Sequence, residues 1–244
     1  MEHFCLLDQL PVELLHNLFD YFVIHEILFS FSNISEYINS IIQSYSNHRF
    51  HCISIRKSHF NFICRHIRPE QVISLVLSDA NDAPGLTRLF FSHFRLEQFI
   101  RLRSLTLIDV DFDSLEAIFA HLDNLKQLRA LSFNEQSIRY PYSCRVQPTT
   151  FHFTDIHMRI LSRLNRLHLS NDTTFTSISL RQLRHLELDK CVNSEFERIF
   201  QLLPQLRSLS VCLNLREANF DLTIHPNKLS DLRLEIQGKY IRLQ

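Results

Sequence analysis

The sequence predicts an α/β protein in which a small bundle of three helices precedes an irregular solenoid of parallel strands. Three observations support this fold class. A short phrase with the pattern apolar-x-x-Leu-x-apolar recurs in register along most of the chain. Segments between the phrases carry apolar residues at helical spacing, and a densely apolar helical stretch lies near the N-terminus. Repetition of this kind is typical of proteins whose units bury their apolar faces against one another.

The repeated phrase predicts a series of short parallel strands. It has six clear copies and one weaker copy, which begin at Leu102, Leu128, Leu164, Leu183, Leu206, Leu229 and, for the weaker one, Val72. Leucine-rich repeats are about 20–29 residues long, and the longer intervals between these starts indicate insertions. Alternation along a strand directs the fourth and sixth places of each phrase inward and the third and fifth outward. Residues 47–244 are therefore interpreted as an irregular leucine-rich-repeat domain of about seven repeats.

Two segments between phrases predict helices with an inward apolar stripe. In "DFDSLEAIFAHLDNL" the stripe is Leu115, Ile118, Phe119 and Leu122, and in "VNSEFERIFQLLPQL" it is Phe196, Ile199, Phe200 and Leu203. Asp113 and Glu116 have the spacing of a capping box at the start of the first helix. Pro204 ends the second helix, because proline disfavours helical geometry in the residue before it.

Two other segments lack helical periodicity. Residues 137–153, "SIRYPYSCRVQPTTFHF", contain two prolines and are interpreted as an insertion in the repeat array. Residues 171–179, "NDTTFTSIS", are short and polar, which predicts a return by a loop. Long irregular segments in compact domains are functional or mobile more often than average.

The stretch "LDQLPVELLHNLFDYF", residues 7–22, predicts a first helix that starts with Pro11 in its first turn and runs to about Phe22. Two further helices are predicted over residues 25–31 and 35–45. The first helix carries two apolar stripes, one formed by Leu14, Leu18 and Phe22 and the other by Leu15 and Phe19. A core of about 45 residues is small, so one stripe can fold the bundle and leave the other for a partner.

Composition limits the classes of function. The chain has 26 acidic and 26 basic residues, so it offers no excess positive charge for nucleic acid or an anionic membrane. Only Gly85 and Gly238 are glycines, which excludes the glycine-rich loops that cradle phosphates. Its start lacks the pattern of a secretory signal. Six scattered cysteines without framework spacing indicate reduced thiols, and hence the cytoplasm or the nucleus.

No cofactor, metal or catalytic residue is expected. The stretch "HRFHCISIRKSHFNFICRH", residues 48–66, is rich in histidine and cysteine, but its spacing favours a histidine-rich surface over a zinc site. Cys191 and Cys212 with His168 and His185 could form a thiol–imidazole pair. However, Cys191 occupies a buried place of the repeat signature, where sulfur acts as a small hydrophobe.

The segment "LPVELLHNLFDYF" resembles the first helix of an F-box, and "HEILFSFSNISEYINSII" resembles its second and third helices. The resemblance covers residues 1–46. In that family the motif docks on the small adaptor subunit of an SCF-type cullin–RING ubiquitin ligase, and a repeat domain captures the protein to be ubiquitinated. The resemblance implies an adaptor-binding surface formed by Leu10, Pro11, Glu13, Leu14, Leu18, Phe22 and Leu28. Many F-boxes carry a basic residue and a tryptophan in helix three, whereas this chain has no tryptophan.

The outward places of the repeated phrases predict a face that binds the target protein. Its residues are Ser104, Thr106, Arg166, His168, His185, Glu187, Ser208, Ser210, Asp231 and Arg233. An alternative interpretation is a non-catalytic scaffold whose N-terminal helices only cap the solenoid, since repeat arrays need covered ends. That alternative predicts that no apolar stripe of the first helix remains exposed. In both cases the expected partners are proteins, and neither nucleic acid nor a membrane is expected.

Overall fold

The computed structural model describes residues 6–53, 55–80, 84–133, 159–169, 180–191, 199–213, 229–236 and 239–243. The chain divides into two compact units, Met1–Leu105 with Asn124–Gln127, and Thr106–Asp123 with Leu128–Gln244. Both units contain helices and strands, which confirms the α/β class. The domain boundary after residue 46 stays a prediction.

The first unit begins with the three predicted helices, α1 (Val12–Phe19), α2 (Ile24–Phe31) and α3 (Glu36–Ser44), after a 3-10 turn at Leu6–Gln9. The first helix is shorter than predicted, and Pro11 is its N-cap. It ends early because the amides of Tyr21 and Phe22 bond to carbonyls only three residues back, which tightens the chain into a turn. The side chain of Ser35 caps α3 by accepting the amide hydrogen of Ile38.

Two parallel strands and two helices complete the described part of the first unit. They are β1 (His48–Cys52), α4 (Lys57–His66), β2 (Val72–Ser78) and α5 (Leu86–His93), with 3-10 turns at Pro69–Gln71 and Leu96–Gln98. The helix α2 contacts α3, α4 and β1, so the N-terminal helices pack directly on the first strand. Large side chains that are fully buried form the core, among them Leu15, Phe19, Ile27, Ile38, Phe50, Phe60, Phe90 and Phe99.

Strand β3 (Ser104–Ile108) crosses from the first unit into the second. It is followed by α6 (Phe112–His121), a 3-10 turn at Leu122–Asn124, β4 (Ala130–Phe133), β5 (Arg166–Leu169), β6 (His185–Cys191), β7 (Ser208–Leu213), β8 (Asp231–Ile236) and β9 (Lys239–Leu243). From β4 to β8 each strand pairs in parallel with the next one in the chain. The last strand, β9, runs antiparallel to β8 and was not predicted by the repeated phrase.

The register of the second unit follows the phrase. The residues at the third place of successive phrases are paired partners across four strand pairs: Ala130, Arg166, His185, Ser208 and Asp231. The fourth and sixth places are buried in every described copy that begins with leucine: Leu105 and Leu107, Leu131 and Phe133, Leu167 and Leu169, Leu186 and Leu188, Leu209 and Val211, Leu232 and Leu234. The predicted inward alternation is therefore confirmed.

The helix α6 confirms its predicted apolar stripe but corrects its predicted cap. Leu115, Ile118, Phe119 and Leu122 are all buried. The N-cap is Asp111, whose carboxylate accepts the amide hydrogen and the hydroxyl hydrogen of Ser114. The proposed capping box of Asp113 and Glu116 is therefore wrong, because the helix starts before Asp113 and places it inside the first turn.

The helix predicted in the segment "VNSEFERIFQLLPQL" is confirmed for the residues that the structure describes. Residues 199–202 are helical, Ile199 and Leu203 are buried, and the helix ends before Pro204. Phe196, the insertion at 137–153 and the loop at 171–179 lie outside the described residues.

Candidate protein-binding surfaces

The two apolar stripes of α1 have different environments. Leu15 and Phe19 are 0% exposed and form part of the core of the first unit. Leu14, which belongs to the other stripe, is 53% exposed. An exposed leucine on a short helix beside a fully buried one leaves apolar area available to a partner.

Six of the seven predicted adaptor-binding residues lie at or near the surface. Pro11, Glu13 and Leu14 are exposed, and Leu10, Leu18 and Phe22 are half-buried. Leu28 does not fit the prediction, because it is only 4% exposed. It lies on the buried stripe of α2 with Ile24 and Ile27, and helical spacing places these three side chains on one face.

Hydrogen bonds from other elements hold both ends of α1. The hydroxyl of Tyr37 on α3 donates to the carbonyl of Leu10 at 2.9 Å, just before the helix. After the helix, the guanidinium of Arg49 donates to the carbonyls of Asp20 and Phe22. The hydroxyl of Tyr45 donates to the carboxylate of Asp20 at 2.5 Å. Burial, and then this bond to Asp20, raises the pKa of Tyr45, so it remains a donor.

Sequence reasoning missed three other exposed apolar or aromatic side chains in this region, Leu6, Val12 and Tyr21. Leu6 lies in the 3-10 turn before α1, Val12 is the first residue of the helix, and Tyr21 follows its end. The 3.6-residue periodicity that predicted the exposed residues of α1 does not extend to residues at or beyond the ends of the helix. Their apolar or aromatic character, close in sequence to the exposed stripe, was the signal that could have identified them.

The outward places of the phrases form a second surface in the second unit, which we call the strand face. A cavity of about 210 Å³ lies on it. Seven predicted target-binding residues line this cavity: Arg166, His185, Glu187, Ser208, Ser210, Asp231 and Arg233. His168 is half-buried on the same strands outside this lining, and Ser104 and Thr106 are half-buried on β3.

His168 connects three strands of the strand face. Its Nδ1 lies 3.0 Å from Ser132 Oγ on β4, and its Nε2 lies 2.9 Å from Asp189 Oδ1 on β6. With the proton on Nε2, the imidazole donates to Asp189 and accepts the hydroxyl hydrogen of Ser132. The three residue types match a catalytic triad, but acyl transfer also needs donors aimed at a developing oxyanion. The backbone of Ser132 is paired with that of His168 in the sheet, and the three side chains form a hydrogen-bonded network across β4, β5 and β6.

Several arginines surround His185 in this cavity. Burial first, and then the nearby guanidinium groups of Arg166, Arg184 and Arg207, lower the pKa of His185. Glu187 and Asp231, which line the same cavity, supply negative charge. A surface with adjacent patches of both signs suits a protein partner with complementary charges.

The thiol–imidazole alternative is not supported by the positions of its cysteines. Cys191 is buried as predicted, with 1% of its surface exposed. Burial, followed by the carboxylates of Glu235 and Asp189, raises the pKa of Cys212, which disfavours its thiolate. A nucleophilic cysteine needs the opposite shift.

The histidine- and cysteine-rich stretch is divided between β1 and α4. His48, Cys52 and Cys64 are buried, whereas His59 and His66 are exposed, so it is only partly a histidine-rich surface. Burial raises the pKa of both thiols, that of Cys64 to about 12. In the described part of the chain no three His, Cys, Asp or Glu side chains are grouped so that they could hold a metal ion.

No protein-family model matches this chain. A comparison with curated proteins also found no match. None of the helices in the described ranges has the length and apolar character needed to cross a membrane.

Proposed function

We propose that this chain is an F-box protein with leucine-rich repeats that acts as the substrate-recognition subunit of an SCF-type cullin–RING ubiquitin ligase. The observation that carries the proposal is the exposure of Leu14 beside the fully buried Leu15 on α1. A helix that needs only one stripe for its own core leaves the other for a groove on a partner. The F-box resemblance identifies that partner as the adaptor subunit.

In this function the chain supplies no reacting group. The adaptor holds it on the ligase, and the repeats hold a target protein near the ubiquitin-loaded enzyme. The gain in rate comes from proximity, which can contribute about 7–11 kcal/mol in well-oriented systems.

The strand face supports the target-binding half of the proposal. It offers a cavity with Arg166 and Arg233 of one charge sign and Glu187 and Asp231 of the other. Protein interfaces use such complementary charges for orientation and specificity. The substrate is therefore proposed to be a folded or extended protein segment with charges of both signs.

A second candidate function is a non-catalytic scaffold in which the N-terminal helices cap the repeats. The contact of α2 with β1 and α4 favours it, because a cap must cover the first strand. The exposure of Leu14 argues against a purely capping role, since a cap gains nothing from an exposed leucine. The two roles share the same helices and are separated by adaptor binding.

The test is co-expression of the full chain with the adaptor subunit, followed by purification and size-exclusion chromatography. The wild-type chain is expected to elute as a one-to-one complex. Leu14→Glu is expected to abolish the complex, because it places a charge in the apolar contact while keeping a good helix former. Ile100→Glu is the matched control, since Ile100 is also exposed in the first unit but lies outside α1.

Loss of the complex in Leu14→Glu alone supports the ligase-receptor function. A wild-type chain that is folded, monodisperse and free of adaptor overturns it in favour of the scaffold. Equal losses in Leu14→Glu and Ile100→Glu also contradict the proposal. The adaptor would then not depend on the α1 surface, by which we mean Leu10, Pro11, Glu13, Leu14, Leu18 and Phe22.

A further inference from the structure

A cavity of about 440 Å³ lies inside the first unit, apart from the α1 surface. Its walls come from α2, α3, the start of β1 and the segment from α4 to the 3-10 turn at Pro69–Gln71. Pockets that bind small molecules have volumes of about 300–1,000 Å³. The cavity is therefore large enough for a small organic ligand.

The charged side chains of this cavity all have one sign. Arg65 and Arg68 line it together with His48 and His66, and no aspartate or glutamate of the described ranges does. Neither arginine makes an ion pair or a side-chain hydrogen bond with any residue in the described ranges. Guanidinium groups bind carboxylates and phosphates through paired, charge-assisted hydrogen bonds. Two guanidinium groups at one cavity, without a partner among the described residues, thus favour an anion.

One wall of the cavity is apolar and aromatic. Phe62 on α4 stacks on Phe29 with ring centroids 5.4 Å apart, and its centroid lies 4.3 Å from that of His66. Ile24 and Leu28 on α2 add aliphatic surface. A bare inorganic anion would leave this wall without a contact, whereas an organic body would cover it.

His48 adds a neutral polar group to the same cavity. It is 3% exposed, and its Nδ1 has no hydrogen-bond partner among the described residues. Burial lowers the pKa of His48 to about 4, so its imidazole is uncharged at neutral pH. A buried polar atom without a partner is costly, and a ligand or a bound water that pairs with the imidazole relieves that cost.

We propose that this cavity binds a small organic anion, in which an apolar body carries a carboxylate or a phosphate monoester. Arg65 and Arg68 pair with the anionic group, and Phe62 with the aliphatic wall contacts the body. The site does not depend on the proposed ligase function, because its lining residues are not those of the α1 surface or the strand face. Leu28 lines the cavity, but it is buried and does not belong to the α1 surface.

The test is isothermal titration calorimetry of the full chain with phenyl phosphate and with benzoate. Benzyl alcohol, which has the same ring without a charge, is the control ligand. We expect saturable binding of at least one anion, no binding of the alcohol at the same concentration, and weaker binding of the anion when salt screens the guanidinium groups. Binding of phenyl phosphate alone identifies a phosphate ligand, and binding of benzoate alone identifies a carboxylate.

The residues are tested with the double variant Arg65→Gln, Arg68→Gln. The matched control is Arg56→Gln, Lys57→Gln, which removes two exposed positive charges from the other end of α4 without touching the cavity. We expect the first variant to weaken binding by at least about tenfold and the control to leave it unchanged. Both replaced arginines are exposed, so the circular dichroism spectrum of the double variant should match that of the wild type. If the spectra differ, binding is measured with the single variants Arg65→Gln and Arg68→Gln instead.

Failure of both anions to bind, or tighter binding of the neutral alcohol, overturns the proposal. Equal weakening by the two double variants also overturns it, because binding would then follow net charge rather than the cavity. Adaptor binding by the full chain is unaffected by any of these outcomes.

Discussion

His168 on β5 and Asp189 on β6 form a hydrogen-bonded pair across neighbouring strands, with 2.9 Å between Nε2 and Oδ1. They occupy the fifth and seventh outward places of consecutive phrases. The pair is therefore diagonal, which brings together side chains that are not register partners. Such cross-strand contacts are the sheet's equivalent of helical neighbours three or four residues apart.

The first prediction concerns the energy of this pair. Because the two side chains are 31% and 44% exposed, Asp189→Asn is expected to lower the free energy of unfolding by less than about 1 kcal/mol. Urea denaturation of the wild type and the variant at the same pH and salt concentration measures the loss. Glu187→Gln is the control, since Glu187 is an exposed acid on the same strand. A loss of several kcal/mol would mean that the network carries much more than a surface ion pair.

The second prediction compares the two sides of α1. Leu15→Ala is expected to cost about 2–5 kcal/mol of unfolding free energy, because it opens a cavity at a fully buried position. Leu14→Ala should change stability by no more than about 0.5 kcal/mol, as is usual at the surface. Both are measured by urea denaturation of the full chain. Similar losses for the two variants would contradict the orientation of the helix.

The third prediction tests the cap of α6. Asp111→Ala is expected to lower the unfolding free energy by about 1 kcal/mol, because it removes the carboxylate that accepts the amide hydrogen of Ser114 at 3.1 Å. Asp113→Ala, two residues further on, keeps that cap and should cost only a few tenths of a kcal/mol. Thermal unfolding of the two variants provides the comparison. A larger loss from Asp113→Ala would restore the capping box that the sequence suggested.

The repeated phrase predicted the strand positions and their register because each place has a fixed environment. Leucine recurs at the fourth place, and that place is buried in every leucine-initiated copy. A shift of the strand register by one residue would move all the apolar side chains of a strand to the other face of the sheet. The apolar pattern therefore determines how neighbouring strands pair. The same logic placed Arg166, His185, Glu187 and Asp231 on one outward face, where they now line one cavity.

The features that the sequence did not predict depend on contacts between distant parts of the chain. Strand β1 lacks the leucine phrase, yet its residues alternate between buried and half-buried because α2 packs on it. Leu28 was placed on the adaptor surface by the F-box resemblance, but it is buried because α2 packs on α3, α4 and β1. The cavity beside Arg65 and Arg68 joins residues from three helices, one strand and a 3-10 turn, and no local pattern relates them.

The last prediction concerns pH. Burial lowers the pKa of His48 from an unfolded value of 6.5 to about 4. Between these values the unfolded chain binds more protons than the folded one, so stability falls as pH drops from 6.5 towards 4. At about 1.4 kcal/mol per unit of pKa, the loss from this group totals about 3 kcal/mol.

Urea denaturation of the wild type and of His48→Phe between pH 7.5 and 4 isolates this contribution, because the variant cannot take up that proton. Burial also lowers the pKa of His25 and His51, so both proteins lose stability in acid, and the wild type should lose more. His59→Gln is the control, since His59 is exposed on α4. Parallel pH profiles for the wild type and His48→Phe would mean that His48 reaches solvent and is protonated within the folded chain. In that case the cavity that it lines would be open to water on the side of β1.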